Sequence, residues 1–198
     1  MRLALGTAQF GLAYGLANTE GQISQSSALE ILEYCKSIGL DTLDTAIGYG
    51  ESEQCLGSVG VTNFNVITKL PCIPEGCADI ENWIMEEVDA SISRLNGISL
   101  YGLMLHRPEQ LLGPYGQEIM SALWSLKKSG IVQKIGISVY SPDEFTALFS
   151  EYNFDIVQCP FNLIDRRLVN SGLLEKLKLL GVEVHVRSSF LQGLLLMP

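Results

Sequence analysis

The chain has 198 residues, 47% of them hydrophobic, and its 13 Lys and Arg against 22 Asp and Glu give a formal charge of −9. That is apolar material for one large core or two small ones, and an acidic chain without a block of Lys or Arg argues against nucleic-acid binding. No apolar run approaches the ~18 residues a membrane span requires, and five cysteines with no C-x-x-C pair fit a reduced, cytoplasmic chain.

From the N-terminus, Met1-Arg2-Leu3-Ala4-Leu5 briefly imitates a secretory signal, but Thr7, Gln9 and Gly11 interrupt it. A first strand from about Arg2 to Thr7 is expected instead. A helix follows from Ser27 to Ile38, with Ser27 and Glu30 as its capping box, an apolar face of Ala28, Ile31, Leu32, Cys35 and Ile38, and Gly39 as its terminator. The second strand is Leu40 to Thr45. A short helix over Ser52 to Ser58 leads to the third strand, Asn65 to Lys69. A helix from Asp79 to Leu95 turns Ile80, Ile84, Val88, Ile92 and Leu95 to one side, and the fourth strand is Leu100 to Leu105. The helix from Gly116 to Ser129 stops at Gly130, before a fifth strand from Lys134 to Ser138. Ser141, Pro142 and Glu144 open the next helix with a cap, an N1 proline and a box glutamate. The sixth strand is Asp155 to Cys159. Asn170 starts a last helix, Gly181 ends it, and Val182 to Arg187 is the seventh strand.

Seven strands alternate with six helices, without a linker, which predicts one domain over residues 1–198. Strands apolar on both faces, such as Leu103-Met104-Leu105, point to a buried parallel sheet. A (β/α)8 TIM barrel and a doubly wound sheet fit this pattern equally. A complete barrel typically takes ~250 residues, so as a barrel this one is incomplete, with its last strand and helices absent. Two open sheet edges and the apolar tail Leu194 to Pro198 then predict a fragment, or an opening covered by another chain, self-association included.

Four ionisable side chains keep a common register. Asp44 closes the second strand, Tyr49 lies in the loop beyond it, Lys69 closes the third and His106 follows the fourth. Each alone has a plain reading: a turn or helix cap for Asp44, a solvated strand end for Lys69, a loop residue for His106, packing for Tyr49. In a parallel barrel, however, all strand C-termini meet at one rim, where active sites form. Together the four suit carbonyl reduction. A phenol with a free pKa near ~10 becomes a better acid beside an ammonium. Lys69 can supply that ammonium, Asp44 can hold it, and His106 can orient the carbonyl. The hydride must come from a cofactor. His185, the other histidine, reads as a core or barrel-facing, hydrogen-bonded residue. Two histidines leave a metal-dependent barrel enzyme short of ligands, so no metal is expected.

The stretch from Asp44 to Glu53, DTAIGYGESE, resembles the aspartate and tyrosine signature of the aldo-keto reductases. Thr68-Lys69 resembles that family's lysine segment, and Leu103 to Pro108, LMLHRP, its histidine segment. Leu5 to Gly11, Gly130 to Ser138 and Val157 to Leu163 are similar to its first strand, its approach to strand five and its strand six. The match covers essentially the whole chain, in order. It implies a barrel, with Tyr49 as acid and Lys69, Asp44 and His106 completing a tetrad. It further implies Ser138 and Gln158 at a nicotinamide carboxamide, Gly6 and Thr7 near the cofactor, and NADPH bound without a G-x-G-x-x-G fingerprint. The partner implied is a small aldehyde or ketone. Two positions depart from the family. Val139 follows Ser138 where asparagine is common, and Arg187 replaces an aromatic that stacks on the nicotinamide; an arginine can also stack on a ring, or meet an anionic group. The family's basic segment for the adenosine phosphate lies beyond the seventh strand. The alternative is a binding or regulatory relative without turnover. Trp83 and Trp124 fall on helices and are assigned to packing.

Overall fold

In the computed structural model, residues 3–197 are described; Arg2, where the first strand is expected to begin, and Pro198, the last residue of the apolar tail, lie outside the described residues. In chain order the elements are β1 (Leu5–Gly6), α1 (Ala8–Gly11), α2 (Gln25–Ser37), β2 (Thr42–Asp44), α3 (Ser52–Val59), β3 (Asn65–Leu70), α4 (Ile80–Arg94), β4 (Leu100–Leu105), α5 (Gly116–Lys128), β5 (Val132–Ser138), α6 (Pro142–Phe149), β6 (Ile156–Pro160), α7 (Arg167–Asn170), α8 (Leu173–Leu179) and β7 (Glu183–Arg187). Short 3-10 turns stand at Pro108–Leu112 and Leu194–Leu196.

The strands form one parallel sheet in the order β1-β2-β3-β4-β5-β6-β7. A doubly wound sheet reverses its strand order at a switch point; this sheet never does. It also curls. Asp44 on β2 and Gln158 on β6 are four strand spacings apart, which at about 4.8 Å each is roughly 19 Å in a flat sheet. Their side chains are nevertheless hydrogen-bonded at 3.0 Å. Tyr101 on β4 reaches Glu183 on β7 in the same way, at 2.8 Å. The result is an incomplete (β/α) barrel, in which β1 and β7 each have one strand neighbour among the described residues. The loops beyond them meet at one end, where the Ala17 amide donates to the Gln192 carbonyl at 3.2 Å.

The helices cover the outside of the curl. Leu43, Val66, Leu103, Ile135 and Val157 of the strands pack with Leu32, Leu56, Ile84, Val88, Leu123 and Phe145 of the helices in one buried cluster. Each such side chain contributes about 1.5–3 kcal/mol. Inside the curl Ile67, Met104 and Ile156 form a small apolar layer. Next to it stands a polar group. Lys134 donates to the Tyr101 hydroxyl at 2.6 Å and contacts Glu183, and His185 Nε2 lies 2.6 Å from Glu183 Oε1. Burial alone would raise the Glu183 carboxyl, but the hydrogen bonds from Lys134, His185 and Tyr101 outweigh it and bring it to about 2. His185 is thus barrel-facing and hydrogen-bonded, as expected.

Local signals explain most boundaries. Asp79 caps α4 by accepting from the Asn82 amide, and Ser141 caps α6 by accepting from the Glu144 amide. Such caps contribute about 1 kcal/mol each. Four expectations are corrected. The cap of α2 is Ser24, which accepts from the Ser27 amide, so Ser27 lies in the first turn rather than at the cap. The first strand is only Leu5–Gly6, and α1 follows at once. The fifth strand begins at Val132. Asn170 ends α7 rather than starting a helix, because Gly172, at φ +74°, breaks the chain before α8. Trp83 packs against the core, but Trp124 is 44% exposed, with the Lys127 ammonium 4.9 Å from its ring centroid. All five cysteines are free thiols, and no helix among the described residues is long and apolar enough to cross a membrane.

Candidate active site

Asp44, Tyr49, Lys69 and His106 meet at the C-terminal mouth of β2, β3 and β4. The Lys69 side chain is fully buried. Its ammonium donates to Asp44 Oδ1 at 2.7 Å and to the Thr45 carbonyl at 2.8 Å. It lies 4.9 Å from the Tyr49 ring centroid. The Tyr49 and His106 rings stand edge to face, 5.8 Å apart. The His106 amide extends the sheet ladder by donating to the Leu70 carbonyl, which fixes where its ring begins.

The Tyr49 loop is held from three sides. On the first side, α1 presses against it with no side chain between them. A Cβ on Gly11 would stand 1.9 Å from the Tyr49 carbonyl oxygen and 2.2 Å from the Ser52 nitrogen. Gly50 faces Gly11 and has φ +56°, a region that favours glycine. On the second side, the hydroxyls of Thr45, Ser52 and Thr7 form a buried chain with spacings of 3.1 and 3.0 Å, and Thr7 donates to the Asp44 carbonyl at 3.1 Å. On the third, Glu53 in the first turn of α3 is buried. Its Oε1 accepts from Thr68 at 2.6 Å and Ser91 at 2.7 Å, and its Oε2 from Arg94 Nε at 2.8 Å. Arg94 Nη2 also approaches that oxygen at 2.8 Å, without the alignment of a second hydrogen bond. These contacts tie α3 to β3 and α4. We expect Gly11→Ala to fold but to push the Tyr49 loop aside. A displacement near 1 Å can cost about 10²-fold in rate, so a kcat unchanged from the parent chain would show that this approach does not set the loop.

Electrostatics give each ring a defined state. Burial raises the Tyr49 phenol above its ordinary value, and the Asp44 charge adds to this; Lys69 lowers it, but by less. Lys69 thus acts in the expected direction, while burial sets the balance in the resting site. Tyr49 remains a protonated donor at neutral pH. His106 is lowered to about 4, first by burial and then by Lys69, Arg107 and Arg187. It is a neutral imidazole at pH 7. An unfolded histidine takes up a proton near ~6.5, whereas this one resists until about pH 4. Between those values the unfolded chain binds the extra proton, so His106 makes stability fall as pH drops through that window. Melting temperature against pH should show this slope, and His106→Gln should flatten it.

Of the other expected residues, Ser138 and Gln158 are both buried and joined, Ser138 Oγ donating to Gln158 Oε1 at 3.2 Å. Gln158 Nε2 in turn donates to the same Asp44 oxygen that holds Lys69. Gly6 has nothing within 4 Å of where a Cβ would stand. Thr7 stands directly below the mouth. Its side chain is wholly buried among the hydroxyls below the mouth rather than turned to open space. Val139 points into the core. Arg187, at the end of β7, stacks on Tyr140, with its guanidinium carbon 4.1 Å from the ring centroid. Sequence reasoning did not single out Glu53, Tyr140 or Arg107. For Glu53 the available signal was a carboxylate one turn into a helix beside the Tyr49 loop, which reads equally as a solvated first-turn acid.

The curled parallel sheet with a Tyr–Lys–Asp–His mouth defines a class of parallel (β/α) barrel protein. The chain belongs to the aldo/keto reductase family, whose sequence profile, described as "Aldo/keto reductase family", matches residues 2–197. It is similar to the NADH-specific methylglyoxal reductase of Escherichia coli (strain K12), with 27% identity covering 98% of this chain and 65% of that protein. It is also similar to the aldo-keto reductase YhdN of Bacillus subtilis (strain 168), with 25% identity covering 87% of this chain and 53% of that one. Among solved structures, aldo-keto reductase AKR11C1 from Bacillus halodurans (holo form) superposes with a TM-score of 0.78 at 24% identity, covering 98% of this chain and 63% of that one. An aldo-keto reductase from Klebsiella pneumoniae in complex with NADPH gives 0.72 at 20% identity, covering 96% and 64%. These structures share the fold. The chain spans 65% and 53% of the length of these two curated relatives.

Proposed function

We propose that residues 1–198 form one catalytic domain that reduces an aldehyde or ketone to an alcohol with a nicotinamide cofactor, Tyr49 acting as general acid. The observation that carries this reading is the buried Lys69 ammonium, held by Asp44 at 2.7 Å and set 4.9 Å from the Tyr49 ring, with His106 beside that ring. A carbonyl oxygen entering the mouth accepts an N–H from neutral His106 and the O–H of Tyr49. Negative charge grows on that oxygen as the new C–H bond forms. Tyr49 then transfers its proton to the oxygen, and Lys69 stabilises the phenolate left behind. Asp44 keeps Lys69 charged and in place. Solvent returns the proton to Tyr49.

The residues present fit a nicotinamide. Its carboxamide needs both a donor and an acceptor. Gln158 offers both and Ser138 adds a hydroxyl, while Gly6 leaves open space. Arg187 offers a second guanidinium face beyond the one on Tyr140. When bound, the reduced nicotinamide supplies the hydride. NADPH is the cofactor we propose; one similar protein is named NADH-specific and one similar structure holds NADPH, so both are to be tested. Mixing the chain with each reduced cofactor and several small aldehydes should consume cofactor absorbance, and Tyr49→Phe should stop it. Cofactor binding with no turnover in the parent chain would favour a binding or regulatory role instead.

A further inference from the structure

The mouth gathers more positive charge than the tetrad uses. Arg187 and Arg107 share one partner, the half-exposed Tyr140 ring, at 4.1 and 5.9 Å from its centroid. Two guanidinium groups brought to one ring repel each other unless an anion joins them. The carboxylates nearby are engaged elsewhere. Asp44 holds Lys69 and Gln158. Asp165 is bound to Arg167 through both oxygens, at 3.0 and 2.7 Å. Glu144 accepts from the Tyr140 amide at 2.9 Å. Among the described residues, Arg187 itself donates only to neutral acceptors, the Val139 carbonyl at 3.3 Å and the Ser188 hydroxyl at 3.5 Å. Arg107 has Glu109 at 3.9 Å, with both side chains more than half exposed, a pair that water screens to little effect. Arg107 also follows His106 directly in the chain. Both arginines add, after burial and Lys69, to the lowering of that imidazole. In a chain of formal charge −9, this is a local inversion of sign beside the group that would hold a carbonyl oxygen.

We propose that Arg107, backed by Arg187 and Tyr140, forms an anion subsite that selects carbonyl substrates bearing a carboxylate, such as 2-oxo acids. The proposal rests on the carbonyl-reducing reading of the same mouth. Arg107 binds the carboxylate and takes no part in the proton transfer. A guanidinium with its ring neighbour fixed and no strong internal partner loses little when it takes an external carboxylate. The same charges could instead serve a cofactor phosphate, and the test separates the two.

The probe pair is phenylglyoxylate and its methyl ester, which share one ketone and differ in charge. The parent chain is expected to show a KM for the acid lower by about fivefold, the upper end for an ion pair at a half-exposed guanidinium, and the preference should shrink as salt is added. Arg107→Ala should raise the KM of the acid by about that factor, leaving kcat, the ester and the Kd of NADPH within about twofold. Arg107→Lys should restore part of the difference. Equal handling of acid and ester by the parent chain overturns the proposal. So does an Arg107→Ala effect on both compounds alike, or on NADPH affinity instead. Binding of phenylglyoxylate is followed in parallel by NMR without turnover. If neither compound is reduced, the carbonyl-reducing reading fails; retained acid binding that Arg107→Ala abolishes still supports the subsite, and its absence refutes it.

Discussion

Tyr49→Phe is expected to lower kcat by about 10²–10⁴-fold, the usual contribution of a positioned general acid, while the melting temperature stays where it was. The reason lies in what the substitution spares. The ring remains edge-on to His106 and below the Lys69 ammonium, and the Asp44–Lys69 pair does not involve the phenol oxygen. Only the proton donor is removed. Substrate affinity should change less than kcat, because the hydroxyl acts most strongly when charge has developed on the carbonyl oxygen. Steady-state rates with the better of NADPH and NADH, alongside a thermal melt, check both halves. Turnover within about tenfold of the parent, well inside the range expected of a lost general acid, would mean that another group supplies the proton.

Glu53→Ala should be the most destabilising single change in the region. It strips three donors of their acceptor at once, the Thr68 and Ser91 hydroxyls and Arg94 Nε. Both hydroxyl residues are fully buried, and an orphaned donor there costs about 1–3 kcal/mol. Breaking a buried ion pair from one side costs about 3–5 kcal/mol. Denaturant titration should find a loss near the upper of those figures. Glu53→Gln keeps the shape and one acceptor and should lose less. A variant as stable as the parent would show that α3 is held to the sheet by its apolar face alone.

The tetrad was legible because four chemically loaded side chains recur where strands end, and a parallel sheet brings strand ends to one rim. Caps with short-range partners, such as Asp79 and Ser141, were legible for the same local reason. The missed features depend on partners far along the chain. The Asp44–Gln158 bond joins residues 114 apart, and nothing in either local segment announces it. The hydroxyl chain beneath the mouth likewise joins Thr7 to Ser52, 45 residues on. The α2 cap was placed three residues late because Ser24, Ser26 and Ser27 offer nearly equal caps, and only the backbone conformation at Ser24 decides between them. Two short helices, α1 and α7, escaped because a four-residue segment is too short to show a period of 3.6.

The unbroken sequential order of the strands bears on how the molecule is made. Each βα unit docks beside the one synthesised just before it, so emergence from a ribosome can add units one at a time, with only short loops to close. The pairing of Gln158 with Asp44 is one exception, since it waits for the sixth strand. A nascent chain halted in the middle would therefore own its tyrosine, lysine and histidine well before it owned the amide that ties the far wall to them.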